Sequence, residues 1–213
     1  FLLSLAADTP WIAGVVGWID MEADSALADL ARLAQNPLFK GIRPMIQSLA
    51  DDDWILRPGL NRVFDALVEA DLAFDALVLP RHLPQLLQRL TQHPDLRCVI
   101  DHCAKPELAT GQIDPWRDDM ARLARDSGAF CKFSGLVTEA GPGYTLDTLR
   151  LAAEHVIAEF GPARLMFGSD WPVLNLAGDY AGWLVMVEAL IEGFGAEDLS
   201  GFWGGNAIGF YQL

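Results

Sequence analysis

Two short segments carry the residue types most able to do chemistry at neutral pH. In Arg164-Leu165-Met166-Phe167-Gly168-Ser169-Asp170-Trp171-Pro172, an apolar run delivers a carboxylate to its end, and Trp171-Pro172 turns the chain away. A carboxylate on such a tip can ligate a metal or take a proton from water. The plainer alternative is that Asp170 caps the next element. In Arg97-Cys98-Val99-Ile100-Asp101-His102-Cys103-Ala104-Lys105-Pro106, His102 ends a similar run. Its imidazole can bind a metal, donate to a developing oxyanion or shuttle a proton, or it can sit buried against a backbone carbonyl. Asp101 has the opposite strand parity, which suits a structural partner rather than a second catalytic group.

A second tier surrounds these two. Arg43, in Gly41-Ile42-Arg43-Pro44, is a forked cation suited to a substrate carboxylate or carbonyl, or to a salt bridge with a nearby aspartate. Asp75, His82 in Arg81-His82-Leu83-Pro84, and Trp171 are further candidates for substrate contact, and Trp18 could wall the same pocket. Lys132 and Ser134 share one face of their run, either at a pocket mouth or, for Lys132, in an ion pair below it. Cys103 reads as an inert buried thiol. His93 and His155 fall on helix-period stretches and read as surface residues. Asp51-Asp52-Asp53 reads as a solvated loop without calcium-loop spacing.

These residues need a frame, and the sequence supplies one six times over. Apolar or β-branched runs at 12–20, 39–44, 72–79, 97–102, 129–134 and 165–168 are each followed by a helix-period stretch. The helices are expected at 23–34, 61–70, 83–93, 115–126, 146–160 and 180–194. Asp114-Pro115 has the form of an N-cap with proline in the first turn, and Gly161-Pro162 that of a stop. The runs are mostly apolar along their length rather than strictly alternating, which suits parallel strands covered on both faces. A nucleotide-binding open sheet should show a glycine-rich loop, and neither GxGxxG nor GxxxxGK[ST] occurs. Asp20, Arg43, Asp75, His102, Ser134 and Asp170 each lie at or near the end of a run, which is how a closed (β/α)8 barrel builds its active site. The expectation is one domain over residues 1–213, a TIM-type barrel lacking about its first two β/α units. The opening Phe1-Leu2-Leu3-Ser4-Leu5 reads as the tail of a helix already under way.

Composition narrows the partners. The 213 residues are 52% hydrophobic, and 29 acidic against 15 basic residues give a net charge of −14. That balance argues against nucleic acid and anionic membranes and favours a small-molecule ligand. Three cysteines without a CxxC point to a reducing cytoplasm. No apolar run approaches the ~18 residues of a membrane span.

Phe167-Gly168-Ser169-Asp170-Trp171-Pro172, Asp101-His102-Cys103-Ala104-Lys105-Pro106 and Lys132-Phe133-Ser134-Gly135 together resemble the amidohydrolase-related group of the amidohydrolase superfamily. Within it the chain is most similar to the L-fuconolactonase and L-rhamnonolactonase type, with Gly14 to Asp20, Gly41-Ile42-Arg43 and Asn206-Ala207 to Tyr211 in the same pattern and order. The resemblance implies a distorted barrel in which residues 12–20 form the third strand and 165–168 the eighth. It implies a hydrolase that opens a sugar-acid lactone, with Asp170 activating water and His102 at the end of the sixth strand. It implies one divalent ion, zinc before others, held by His102 and Asp170 with an upstream His-x-His pair, although some relatives work without metal. No two histidines of this chain are two residues apart, so that pair is not in it. Rival expectations are a metal-dependent decarboxylase or amide hydrolase on the same fold, or a truncated barrel acting as a binding module. A lactone is the expected partner, and a homodimer the assembly the resemblance admits.

Overall fold

A computed structural model describes residues 1–213. Six parallel strands lie in sequence order in one sheet: β1 Val15–Gly17, β2 Phe39–Ile42, β3 Ala73–Ala76, β4 Cys98–Ile100, β5 Phe130–Phe133 and β6 Leu165–Phe167. Each pairs with the next, with Asp75 opposite Val99 and Lys132 opposite Met166. Parallel neighbours require a crossover, and helices supply it: α1 Leu2–Ala7 precedes the sheet, then α2 Ala26–Ala34, α3 Asn61–Glu69, α4 Leu83–Gln92 and α5 Asp114–Asp126 follow successive strands. The short α6 Leu136–Glu139 and the long α7 Leu146–Phe160 follow β5, and α8 Tyr180–Leu190, α9 Ala196–Ser200 and α10 Asn206–Tyr211 follow β6.

The strand parity sorts the core. Phe74, Cys98, Ile100, Cys131, Phe133 and Leu165 face outward into a 49-residue cluster under the helices. Ala73, Val99 and Met166 face the other way and meet Phe210 of α10, which folds back under the concave side. The sheet curls enough for Lys132 on β5 to reach Asp75 on β3, two strands away, at 2.5 Å. The helices dock through apolar positions three or four apart, such as Trp116, Met120 and Leu123 on α5. Thr145 caps α7 through the Thr148 N–H, and Asp179 caps α8 through the Gly182 N–H.

The strands are shorter than their apolar runs because the chain bends away at the rim. Asp114 is the first residue of α5 and not its cap, and Ile113 occupies the cap position with no side-chain bond. The acidic triplet is engaged rather than merely solvated: Asp51 pairs with Arg57 at 2.7 Å, Asp52 with Arg81 at 2.7 Å, and Asp53 accepts from Gln85 at 3.1 Å. His93 and His155 are half-buried, the first against Asp65 and Arg89, the second on the Arg117 carbonyl. No helix is long and apolar enough to cross a membrane.

Candidate active site

The carboxyl ends of β4 and β6 bring the two leading candidates together. His102 Nε2 lies 3.4 Å from Asp170 Oδ1, with side chains 12% and 10% exposed. Both stand on left-handed backbone, φ 53° for His102 and 56° for Asp170. His102 begins a run of four such residues, continuing through Cys103, Ala104 and Lys105 at φ 50°, 56° and 53°. Left-handed conformation costs a residue with a Cβ about 1–2 kcal/mol. None of the four is glycine, so packing must hold the turn in place, as is common where a fold aims a functional side chain.

Two buried indoles do much of that holding. Trp116 of α5 donates to the Cys103 carbonyl at 2.7 Å, inside the left-handed turn. Trp183 of α8 donates to the Gly168 carbonyl at 2.9 Å, two residues before Asp170. Trp116→Phe keeps an aromatic ring and removes the donor, leaving a buried carbonyl unpaired. It is expected to cost about 1–3 kcal/mol of stability, read as a lower urea midpoint. An unchanged midpoint would show that the turn holds without the indole.

The imidazole seat is tight. A Cβ on Gly135 would fall 2.6 Å from His102 Cβ, and Gly135 itself has φ +70°. His102 Nδ1 lies 2.8 Å from Ser134 Oγ at the end of β5. Burial lowers the His102 pKa, opposed by Asp101 and Asp170, so the ring is neutral at neutral pH.

Below this pair lies a buried charge cluster. Lys132 Nζ sits 2.5 Å from Asp75 Oδ2 and 2.8 Å from Asp101 Oδ1. The Tyr211 hydroxyl donates to Asp75 at 2.9 Å. Asp101 accepts no well-aligned hydrogen bond and is held by charge, from Lys132 and from Arg43 Nη1 at 3.6 Å. Burial is the largest influence on Asp75 and pushes its carboxyl up to about 6, against the pull of Lys132. Burial likewise raises the Cys98 and Cys131 thiols well above the ordinary range.

The second-tier candidates divide accordingly. Arg43 is 42% exposed and bridges the cluster to the mouth. Trp171 is exposed on the loop after Asp170, and Trp18 is exposed after β1. Asp75 is 1% exposed with both oxygens committed to Lys132 and Tyr211. His82 is wholly buried; its Nδ1 accepts from the Leu79 N–H at 3.0 Å and its Nε2 faces Asp52 at 3.4 Å. It ties the loop after β2 to the start of α4, and its polar partners are Leu79 and Asp52, not His102 or Asp170. The Ser134–His102 bond, Tyr211 and the two indole clamps were not legible as site features, and only the strand-end position of Ser134 hinted at any of them.

What the geometry offers is a carboxylate and an imidazole 3.4 Å apart at the rim of a parallel barrel-type sheet, able to exchange a proton with a bound water and to donate to an oxyanion, with a guanidinium 3.6 Å from the neighbouring Asp101. Comparison with known proteins agrees with that chemistry. The chain is 48% identical to an L-fucono-1,5-lactonase of Burkholderia ambifaria, over all of this chain and 75% of the relative. It is 37% identical to an L-fucono-1,5-lactonase of Burkholderia multivorans, over all of this chain and 76% of that protein. A crystal structure of an amidohydrolase from Burkholderia multivorans with bound zinc superposes with a TM-score of 0.94 at 36% identity, covering 100% of this chain and 78% of the other. The sequence profile of the Amidohydro_2 family, amidohydrolase, matches residues 1–213. Because these matches take in strands, outer helices and rim loops alike rather than one motif, the chain belongs to the amidohydrolase family.

Proposed function

We propose that this protein hydrolyses a sugar-acid lactone of the L-fucono-1,5-lactone kind. The observation that carries the reading is the meeting of His102 and Asp170 at the rim, 3.4 Å apart, in a chain 48% identical to a lactonase of that name. Asp170 takes a proton from water as the water oxygen adds to the lactone carbonyl. The tetrahedral oxyanion is met by His102 and by the Arg43 guanidinium. The bond from the carbonyl carbon to the ring oxygen then breaks, and that oxygen receives the proton back from Asp170. One water is consumed, and the product is an open-chain hydroxy acid. Trp171 and Trp18 offer aromatic walls for the sugar. Asp75 and His82 act from beneath and beside the mouth, through Lys132 and through the loop at Asp52.

The related crystal structure holds zinc. A catalytic zinc site takes three protein donors and keeps one position open. His102 and Asp170 would supply two ligands, and no group of three His, Cys, Asp or Glu side chains forms in this chain. The donor set is therefore short of a zinc site, and every step above runs through side chains alone. In this reading residues 1–213 form one domain and the six strands correspond to the third to eighth of a (β/α)8 barrel. Three unpaired, buried cysteines suit a cytoplasmic protein, and the charge of −14 suits a small-molecule partner rather than nucleic acid.

The test is a panel of five- and six-membered aldonolactones, followed by proton release in weakly buffered solution. Turnover of the fuconate or rhamnonate lactones above the uncatalysed rate is expected. Absence of turnover across the panel, with release of carbon dioxide from an aromatic acid instead, would overturn the assignment.

A further inference from the structure

The seat of His102 constrains which ring nitrogen carries the proton. Ser134 is 1% exposed, and its Oγ lies 2.8 Å from His102 Nδ1. A hydroxyl brings a hydrogen of its own and must place it. Of the protein's acceptors, Nδ1 of His102 is the one within hydrogen-bonding reach of this hydroxyl. The walls leave little room for another arrangement. A Cβ on Gly168 would fall 2.9 Å from Ser134 Cβ and 3.1 Å from its Oγ, so the backbone of the β6 end presses directly on the serine. On the other side, the backbone at Gly135 presses on the imidazole, where a Cβ would fall 2.9 Å from His102 Cγ. Were the ring proton on Nδ1, it would donate to the serine oxygen, and the hydroxyl hydrogen would have to turn aside with no protein acceptor in a buried site.

We infer that Ser134 donates to His102 Nδ1 and thereby fixes the neutral ring as its Nε2–H tautomer, with that N–H directed into the mouth beside Asp170. Which nitrogen is protonated follows from the bond the other one makes. Ser134 is thus a positioning residue that acts through His102. The consequence for chemistry rests on the lactonase reading: Nε2 of His102 carries a proton and Asp170, 3.4 Å away, offers only lone pairs, so the two do not compete for one proton. The tautomer itself does not depend on that reading. It also carries a consequence for metals. An Nε2–H nitrogen has no lone pair to give, so ligation through Nε2 would require the ring proton to move to Nδ1 and would orphan the serine hydrogen.

The experiment uses the whole chain with ring-15N histidine and long-range 1H–15N correlation, which distinguishes the two neutral tautomers. The His102 pattern is assigned by its loss in His102→Gln. Wild type is expected to show Nε2–H, and Ser134→Ala is expected to populate Nδ1–H. The same variant should lose about 10- to 100-fold in kcat with a far smaller change in KM. An Nδ1–H pattern in wild type would overturn the inference whether or not any variant folds, and so would a Ser134→Ala spectrum matching wild type. Tautomer signals that respond as expected in a protein that opens no lactone would leave this inference standing and remove the functional reading instead.

Discussion

Asp170→Asn is expected to lower kcat for lactone opening by about 100- to 10,000-fold, with the melting temperature close to wild type. The amide keeps the shape and the contact with His102 but cannot accept a proton from water. The backbone favours this replacement as a clean test. Asp170 has φ 56°, a region that asparagine tolerates better than most residues with a Cβ. Its carbonyl still accepts from the Leu174 N–H at 2.9 Å, so the turn into the next loop is preserved. Paired measurements of kcat and thermal unfolding separate chemistry from folding. Undiminished hydrolysis in a folded Asp170→Asn protein would remove Asp170 as the base. His102→Gln is expected to fall by less, because Arg43 remains at the mouth to meet the oxyanion.

The order of strands and helices was readable because a parallel strand covered on both faces must be apolar along its length. Cys98-Val99-Ile100 and Leu165-Met166-Phe167 show this, and the amphipathic stretches between such runs could only be crossovers. Asp170 and His102 were readable for a related reason: a polar residue directly after an apolar run must lie where the strand stops. The same rule brings in Asp75, and here parity matters more than proximity to an end. Asp75 lies within β3 and faces the concave side, where Lys132 and Tyr211 take both its oxygens. Tyr211 comes from α10, 136 residues away in sequence, and no local pattern announces such a partner. The left-handed run from His102 to Lys105 was illegible for a different reason. Cys103, Ala104 and Lys105 have no particular propensity for that conformation, and a contact that helps to hold it, the indole of Trp116, comes from the following helix. The short helices α6, α9 and α10 lack the length over which a 3.6-residue period can be recognised.

The largest expected effect on stability lies below the site, at Lys132. Its ammonium is the shared partner of Asp75 and Asp101, two carboxylates at 1% and 0% exposure. Lys132→Met removes that charge and leaves both anions in the interior, facing only the Tyr211 hydroxyl and the more distant Arg43. Breaking a buried pair from one side costs about 3–5 kcal/mol. The loss should depend on pH in a defined direction. In the folded protein burial already raises Asp75 from 3.8 to about 6, with Lys132 the strongest opposing influence. A carboxyl raised in the folded state contributes stability that is full below its unfolded pKa and lost as pH rises through the folded one. Without Lys132 the folded value climbs further, so the window of loss widens upward from about 6. Urea unfolding of Lys132→Met against wild type should therefore show a larger deficit at pH 8 than at pH 5. In the variant at pH 5 the folded state can hold Asp75 protonated, and much of the penalty is avoided. Asp75→Asn is expected to cost less at either pH, since Lys132 keeps Asp101 as its partner. A deficit equal at both pH values, or greater at pH 5, would mean that the cluster is not held by charge and that the Lys132 stem contributes mainly by packing.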